Sequence, residues 1–246
     1  MELRRRQMVK GVGICSAAFL LNTFGGRGIA WGQESERKQG KKEDEESEVT
    51  ATEDLMREHG VLRRALLIYS ETIPKLRGNP SSAIPDMLQK TARLFRAFGE
   101  DYHEKKLEEA YIFPTVKKVV SPASGLIDVL IQQHQRGREI TDYILSVTKG
   151  AKLEAKTTTP LAKVLESFVL MYRNHAARED TIVFPAWKKA LTAKEYDDMG
   201  DKFEDIEHEQ FGEDGFDKAV REISDIEKGL GLLDLARFTA PAPPVR

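Results

Sequence analysis

Two stretches of the sequence carry nearly the same set of side chains that can bind a metal ion. HEKKLEEAYIFP begins at His103 and HAAREDTIVFP begins at His175, so each contains a histidine, a pair of acidic residues and then Phe-Pro. The first copy has one extra residue between its histidine and Phe-Pro. Hydrophobic residues alone would fill a core at a lower free-energy cost than histidine and glutamate. The repeat therefore indicates a chemical task that uses two similar sets of ligands.

The histidines are few, and their spacing places four of them together. The chain has five histidines, and His59, His103, His134 and His175 fall one on each of four long predicted helices. With a rise of about 1.5 Å per residue, counting to the intervening turns brings all four imidazoles to similar heights in antiparallel helices. Buried imidazoles need hydrogen-bond partners, and protonated ones repel one another. A metal ion with carboxylate ligands resolves both problems.

The helices that must position these residues are indicated by apolar residues spaced three and four apart. Strand signals are almost absent. Helices are predicted over about 53–77 and 82–120, from Ser121 to Gly150, from the 157–160 stretch to 190, and over about 216–230. A further helix is predicted to begin at Thr192, a good N-cap residue with Glu195 three positions later, as in a capping box. The sequence thus predicts an all-α, up-down-up-down four-helix bundle over residues 53–190, with an extra C-terminal helical extension over 191–236.

The segments before and after the predicted helices lack the apolar periodicity of a folded domain. Residues 1–30 combine basic residues with the apolar stretch GVGICSAAFLLNTF and predict an export signal, in which Arg5-Arg6 resembles a twin-arginine sequence. Residues 31–52 are highly charged without apolar periodicity and predict a disordered linker, and residues 237–246 predict a disordered tail. We expect export to the periplasm or beyond, and no stable membrane insertion once the signal is removed.

Charge and cysteine content exclude several classes of site. The formal net charge is −2, so no overall field attracts nucleic acid. The single cysteine, Cys15, rules out an internal disulfide and a cysteine-based metal site. The composition leaves the oligomeric state open.

The carboxylates of the two copies differ in their spacing from the histidine. Glu179 lies four residues after His175, on the same helical face. Glu108 lies five residues after His103, about 140° away around a regular helix. A one-residue π-bulge near 105–107 would restore the register, and Glu104 is the alternative ligand. Both copies have two acids, three further residues and then Phe-Pro, with Glu-Glu in the first copy and Glu-Asp in the second, and this shared frame favours Glu108.

With these motifs in this order, the sequence resembles the hemerythrin family, in its exported bacterial HHE cation-binding branch, over roughly residues 53–189. The resemblance implies a non-haem centre of two iron ions in the bundle core. It also implies that Glu108 and Glu179 bridge the irons while His59, His103, His134 and His175 complete their coordination.

A fifth histidine is expected from the same resemblance, because hemerythrins have three histidines on one iron and two on the other. His208 matches His175 in height by residue count, so it is the candidate for completing the second iron. Its acidic neighbours also fit a solvated helix face.

The resemblance favours a protein that binds or senses dioxygen, or stores iron or oxygen. A di-iron enzyme acting on peroxide or nitric oxide is the alternative, and the chain's behaviour after exposure to oxygen discriminates between them. Dioxygen binding needs a dry apolar pocket, and four apolar residues near the histidines are candidates for its lining: Leu62, Ile131, Phe168 and Met171. Ordinary core packing explains the same residues and is the stronger interpretation, and the two roles are compatible. A ferritin-like oxidase fits less well because such sites are richer in carboxylates, and a bundle without metal would leave the histidine layer unexplained.

Overall fold

The computed structural model describes residues 49–78, 85–150, 152–212 and 214–244, and within these ranges the regular structure is entirely helical. Residues from Thr50 onward form one compact unit. The elements are α1 (Ala51–Gly78), α2 (Pro85–Leu94), the π-helical segment π1 (Phe95–Ile112), α3 (Phe113–Lys117), α4 (Ile127–Val147), α5 (Ala155–Arg178), the π-helical segment π2 (Glu179–Val183), α6 (Phe184–Ala190), α7 (Ala193–Phe211), α8 (Gly215–Leu230) and a 3₁₀ turn (Leu235–Phe238).

Four long arms make up the predicted bundle, which the structure confirms. The first arm is α1, the second is the continuous run α2–π1–α3, the third is α4 and the fourth is the continuous run α5–π2–α6. α1 packs along α5, and α4 packs against both α5 and π1. Each arm buries an apolar stripe, including Leu55, Phe95, Ile127 and Leu165, so the core runs along the bundle axis.

The π-helical segments account for the mismatch between the two sequence copies. In both copies the backbone N–H of the Phe-Pro phenylalanine donates to the carbonyl of the glutamate five residues earlier, from Phe113 to Glu108 and from Phe184 to Glu179. The wider turn also keeps the following proline ring clear of the preceding carbonyls. π1 is much longer than the single bulge expected near 105–107. It absorbs the extra residue and turns Glu108 inward.

The C-terminal extension packs onto the bundle through aromatic and charged contacts. α7 begins with the predicted capping box between Thr192 and Glu195. Phe203 of α7 stacks on Trp187 with ring centroids 5.6 Å apart. From α8, Glu227 accepts a hydrogen bond of 2.9 Å from Nε of Arg64 on α1. The extension therefore belongs to the same compact unit as the bundle.

The predicted export signal at 1–30 lies outside the described residues, and so do residues 31–48 of the predicted linker and the last two residues of the predicted tail. Within the described residues, none of the helices is long and apolar enough to cross a membrane.

A glycine on α4 makes room for a buried tyrosine of α5. A Cβ atom on Gly137 would overlap the phenol oxygen of Tyr172. Because glycine stands there, Tyr172 can lie in the interior and donate a hydrogen bond of 2.7 Å to Oε1 of Glu104.

We predict that Gly137→Ala lowers the free energy of unfolding by about 1–3 kcal/mol, the usual range for forcing an atom into a packed core. Gly60→Ala is the matched control, because a Cβ there meets nothing within 4 Å. Replacing that helical glycine should raise stability by about 0.5–1 kcal/mol. Chemical denaturation of the two variants measures both effects, and equal stability of the two would contradict the packing of Tyr172.

Candidate metal centre

Two pairs of buried imidazoles face each other in the bundle core. Nε2 of His59 lies 3.0 Å from Nε2 of His103, and Nε2 of His134 lies 3.0 Å from Nε2 of His175. All four side chains are buried. We call the space beside the first pair position one and the space beside the second pair position two. As predicted from the residue counts, the four histidines lie in one layer.

Each imidazole is oriented through its other nitrogen. Nδ1 of His59 is 2.7 Å from Asp180, and Nδ1 of His103 is 2.6 Å from Glu58. In the second pair, Nδ1 of His134 is 2.9 Å from Glu109 Oε1, and Nδ1 of His175 is 2.8 Å from Gln133 Oε1. An ionised carboxylate or an amide oxygen can only accept, so the neutral imidazole carries its proton on Nδ1. The Nε2 atoms then meet as unprotonated lone pairs.

Two glutamates span the two positions. Oε1 of Glu108 is 3.4 Å from Nε2 of His103 and its Oε2 is 3.3 Å from Nε2 of His134. Oε2 of Glu179 is 3.6 Å from Nε2 of His59 and its Oε1 is 2.9 Å from Nε2 of His175. Each position is thus bordered by two imidazole nitrogens and by one oxygen of each glutamate.

These groups fit two cations better than they fit one another. Both carboxylate oxygens of Glu108 and of Glu179 are buried without a hydrogen-bond partner, and leaving such groups unsatisfied is costly. Nitrogen ligands about 2.1 Å from a metal ion and at right angles to each other are separated by about 3.0 Å, which is the Nε2 spacing in both pairs. The donor set of imidazole and carboxylate suits divalent transition metals.

The repeated phenylalanines also belong to the centre. Phe184 stacks on His59 with centroids 5.4 Å apart and an interplanar angle of 26°. Phe113 stacks on His134 at 5.4 Å and 21°. Each copy of the motif therefore contributes a histidine, a bridging glutamate, a second acid that holds an imidazole of another arm, and a ring that covers that same imidazole.

Without a metal ion, protonation of histidines balances part of the negative charge of the glutamates. Burial disfavours an imidazolium, but Glu108 and Glu58 outweigh that effect and raise the pKa of His103 well above its usual value. Burial likewise opposes protonation of His134, yet the nearby Glu104, Glu108 and Glu109 raise its pKa well above its usual value. Although burial disfavours its carboxylate, Glu108 has a pKa well below its usual value because of His103 and His134. The centre therefore favours positive charge between its ligands.

A small cavity of about 10 Å³ adjoins the centre, at the lower limit for holding one water-sized molecule. Its apolar lining includes Leu62, Leu66 and Phe95, and Glu104 and Tyr172 also line it. Leu62 is thus placed as predicted.

The other predicted lining residues have a packing role instead. Phe168 is part of the hydrophobic core, and Ile131 and Met171 pack against it. Their helical spacing correctly predicted that they lie on the buried apolar face, but spacing alone does not show which residues of that face border the cavity.

A further buried carboxylate on π1, Glu100, is not one of the groups that border the two positions. Burial and the neighbouring charge of Glu104 raise the pKa of Glu100 to about 7. Thr141 donates a hydrogen bond of 2.6 Å to Glu100 Oε1.

The structure brings six of the seven predicted site residues together and separates the seventh. His208 lies on the exposed side of α7, whose buried side carries Phe203, Glu204 and Glu207. The prediction that His208 completes the second iron is therefore wrong. A matching height along the bundle does not fix which face of the helix turns inward.

Glu104, the alternative ligand in the first copy, is engaged elsewhere. Its Oε1 accepts from Tyr172, and its Oε2 accepts from Nη2 of Arg138 at 3.3 Å. Glu108, rather than Glu104, lies between the imidazole pairs.

The residues that hold the outer imidazole nitrogens were not predicted from the sequence: they are Glu58, Glu109, Gln133 and Asp180. A signal for them exists, since each is the immediate neighbour in sequence of a predicted ligand.

Comparisons with known proteins agree with this geometry. The hemerythrin HHE cation-binding domain model matches residues 50–187. Uncharacterized proteins from Mycobacterium bovis and from two strains of Mycobacterium tuberculosis are each 45% identical over 197 residues, which is 80% of this chain and 76% of theirs. No solved structure matches the chain significantly.

We predict that Glu108→Gln removes most of the bound metal, because each position loses an anionic oxygen. Glu104→Gln, an identical change on the same arm, should keep the metal content of the unaltered chain. Metal analysis after dialysis against a weak chelator compares the two. Loss of metal from Glu104→Gln together with retention by Glu108→Gln would make Glu104 the ligand.

Proposed function

Because the chain belongs to the hemerythrin HHE cation-binding domain family, we propose that it holds two iron ions between its imidazole pairs and binds dioxygen or a related small molecule there. His59 and His103 would hold the ion at position one, and His134 and His175 would hold the ion at position two. Glu108 and Glu179 would each offer one carboxylate oxygen to the ion at position one and the other oxygen to the ion at position two.

The observation that carries this proposal is the set of four buried carboxylate oxygens without hydrogen-bond partners. These oxygens face four imidazole nitrogens whose protons lie on the other side of their rings. Two divalent cations satisfy both sets of lone pairs. Iron bound by such ligands supplies a redox-active position at which a diatomic molecule can bind.

The chain's own residues favour binding over uncontrolled turnover. The centre is buried in the core, so bulk water is excluded. The outer partners of the imidazoles fix the direction of each ring, and such partners commonly change metal affinity 10–100-fold. Leu62, Leu66 and Phe95 give the adjoining cavity an apolar wall.

A specific observation favours the alternative, an enzyme acting on peroxide or nitric oxide. The cavity is also lined by Glu104 and Tyr172, which are hydrogen-bonded to each other. A carboxylate paired with a phenol is able to donate or accept a proton at the cavity wall. A carrier needs no such pair, whereas turnover of peroxide requires proton movement.

The sequence before residue 49 bears on the cellular location of the protein. As part of the proposal, the predicted signal at 1–30 sends the protein out of the cytoplasm with its centre loaded, as a twin-arginine route would allow.

We predict two irons per chain and an absorption spectrum that changes on exposure to air and returns when oxygen is removed. The measurement is metal analysis of the purified protein, with spectra recorded anaerobically, in air and after removal of oxygen. His208→Ala is the matched control, since an exposed histidine outside the centre should alter neither result.

The outcomes separate the two candidate functions. A reversible spectral change supports a binding protein, while steady consumption of peroxide or nitric oxide supports the enzyme. Zinc, or no metal, after anaerobic loading with iron would contradict both.

A further inference from the structure

The centre has a pseudo-two-fold arrangement that covers most of its outer shell. The residue after each bridging glutamate holds an imidazole of another arm, Asp180 for His59 and Glu109 for His134. The residue four positions after each of these imidazoles is an arginine that contacts the same acid, Arg63 for Asp180 and Arg138 for Glu109. The symmetry predicts the same chemistry around both positions.

One pair of equivalent residues breaks this symmetry. Glu58 precedes His59 and accepts from Nδ1 of His103. Gln133 precedes His134 and its Oε1 accepts from Nδ1 of His175. Both imidazoles at position one are therefore hydrogen-bonded to carboxylates, whereas position two has one carboxylate and one neutral amide.

We propose that the two metal positions are unequal, with position one binding its ion more tightly, and that Gln133 is the residue responsible. The inference rests on the proposed dinuclear function. A carboxylate that accepts the Nδ1 proton raises the basicity of the imidazole and so strengthens its bond to a metal ion. An amide oxygen carries no full charge and does this less.

Other differences between the positions do not account for the inequality. The histidines are all nearly fully buried, from 0% to 3% exposed, so solvent does not distinguish them. The charged side chains nearest each position balance in the same way, with two carboxylates and one guanidinium at each: Glu58, Asp180 and Arg63 at position one, and Glu104, Glu109 and Arg138 at position two. Among the groups hydrogen-bonded directly to the outer nitrogens, the neutral partner of His175 is the difference.

Glu104 is the one acid at position two without a counterpart in the outer shell of position one. Its Oε2 lies 3.9 Å from Nδ1 of His134, too far for a hydrogen bond. Arg138 contacts both Glu104 and Glu109, so its guanidinium offsets part of this charge. Glu104 thus does not replace the missing carboxylate beside His175.

The test is removal of zinc from the fully loaded chain by a competing chelator. Side-chain ¹⁵N signals of the imidazoles report which histidines keep their metal, and five histidines make their assignment tractable. We expect His134 and His175 to lose zinc first. A tenfold affinity ratio, the lower end of second-shell effects, leaves about three quarters of the remaining zinc at position one when one ion per chain is left.

Two isosteric variants should each abolish the difference in affinity between the two positions. Gln133→Glu should supply the missing carboxylate and make the two pairs lose zinc together. Glu58→Gln should weaken position one and have the same equalising effect. Gln132→Glu is the matched control, because it makes the identical change at the neighbouring exposed position and should leave the order of loss unchanged.

Equal loss from both pairs in the unaltered chain would overturn the inequality while leaving two bound ions intact. An unchanged order of loss in Gln133→Glu would overturn the role of Gln133. A chain that holds fewer than two zinc ions at the start would overturn the dinuclear function, and this inference with it.

Discussion

The structure depends on a cluster of buried hydrogen-bond acceptors that have no donors among themselves. Four Nε2 lone pairs and four carboxylate oxygens converge in the dry interior, and the protons that could join them are held on the far side of the imidazoles. Protonated histidines relieve part of this in the metal-free chain, as the raised pKa values of His103 and His134 show. The two cations of the proposed function would relieve all of it. The bundle, its π-helical segments and the outer acids follow from keeping these groups together.

The four arms serve this arrangement in complementary ways. α1 and α4 each contribute one histidine, preceded by a residue that holds the partner imidazole of the same pair. The second and fourth arms each contribute a histidine and a glutamate that spans the two positions. In each arm a π-helical hydrogen bond joins that glutamate to the stacking phenylalanine five residues later. The sequence repeats because the centre does. The first copy accommodates its extra residue in a longer π-helical segment.

Much of this was predictable from residue spacing, and the exceptions have physical causes. Periodicity and turn signals gave the four arms, the level of the histidines and the cap at Thr192. The Phe-Pro frame favoured Glu108 although a regular helix would point it away. The contacts of Asp180 and Gln133 could not be predicted, because helical periodicity fixes a face but not the reach of a side chain across to another arm. His208 was placed wrongly for a different reason, because a residue count fixes its height along the bundle but not which face of α7 turns inward.

The most direct test of the central claim is an anomalous diffraction map of iron-loaded crystals, recorded at the iron absorption edge. Two peaks should lie inside the bundle, one beside Nε2 of His59 and His103 and the other beside Nε2 of His134 and His175, each in contact with one oxygen of Glu108 and one of Glu179. A single peak would contradict the claim. So would a peak on the outer side of His134, among Glu104, Glu109 and Nδ1, where three further ligand atoms lie close together.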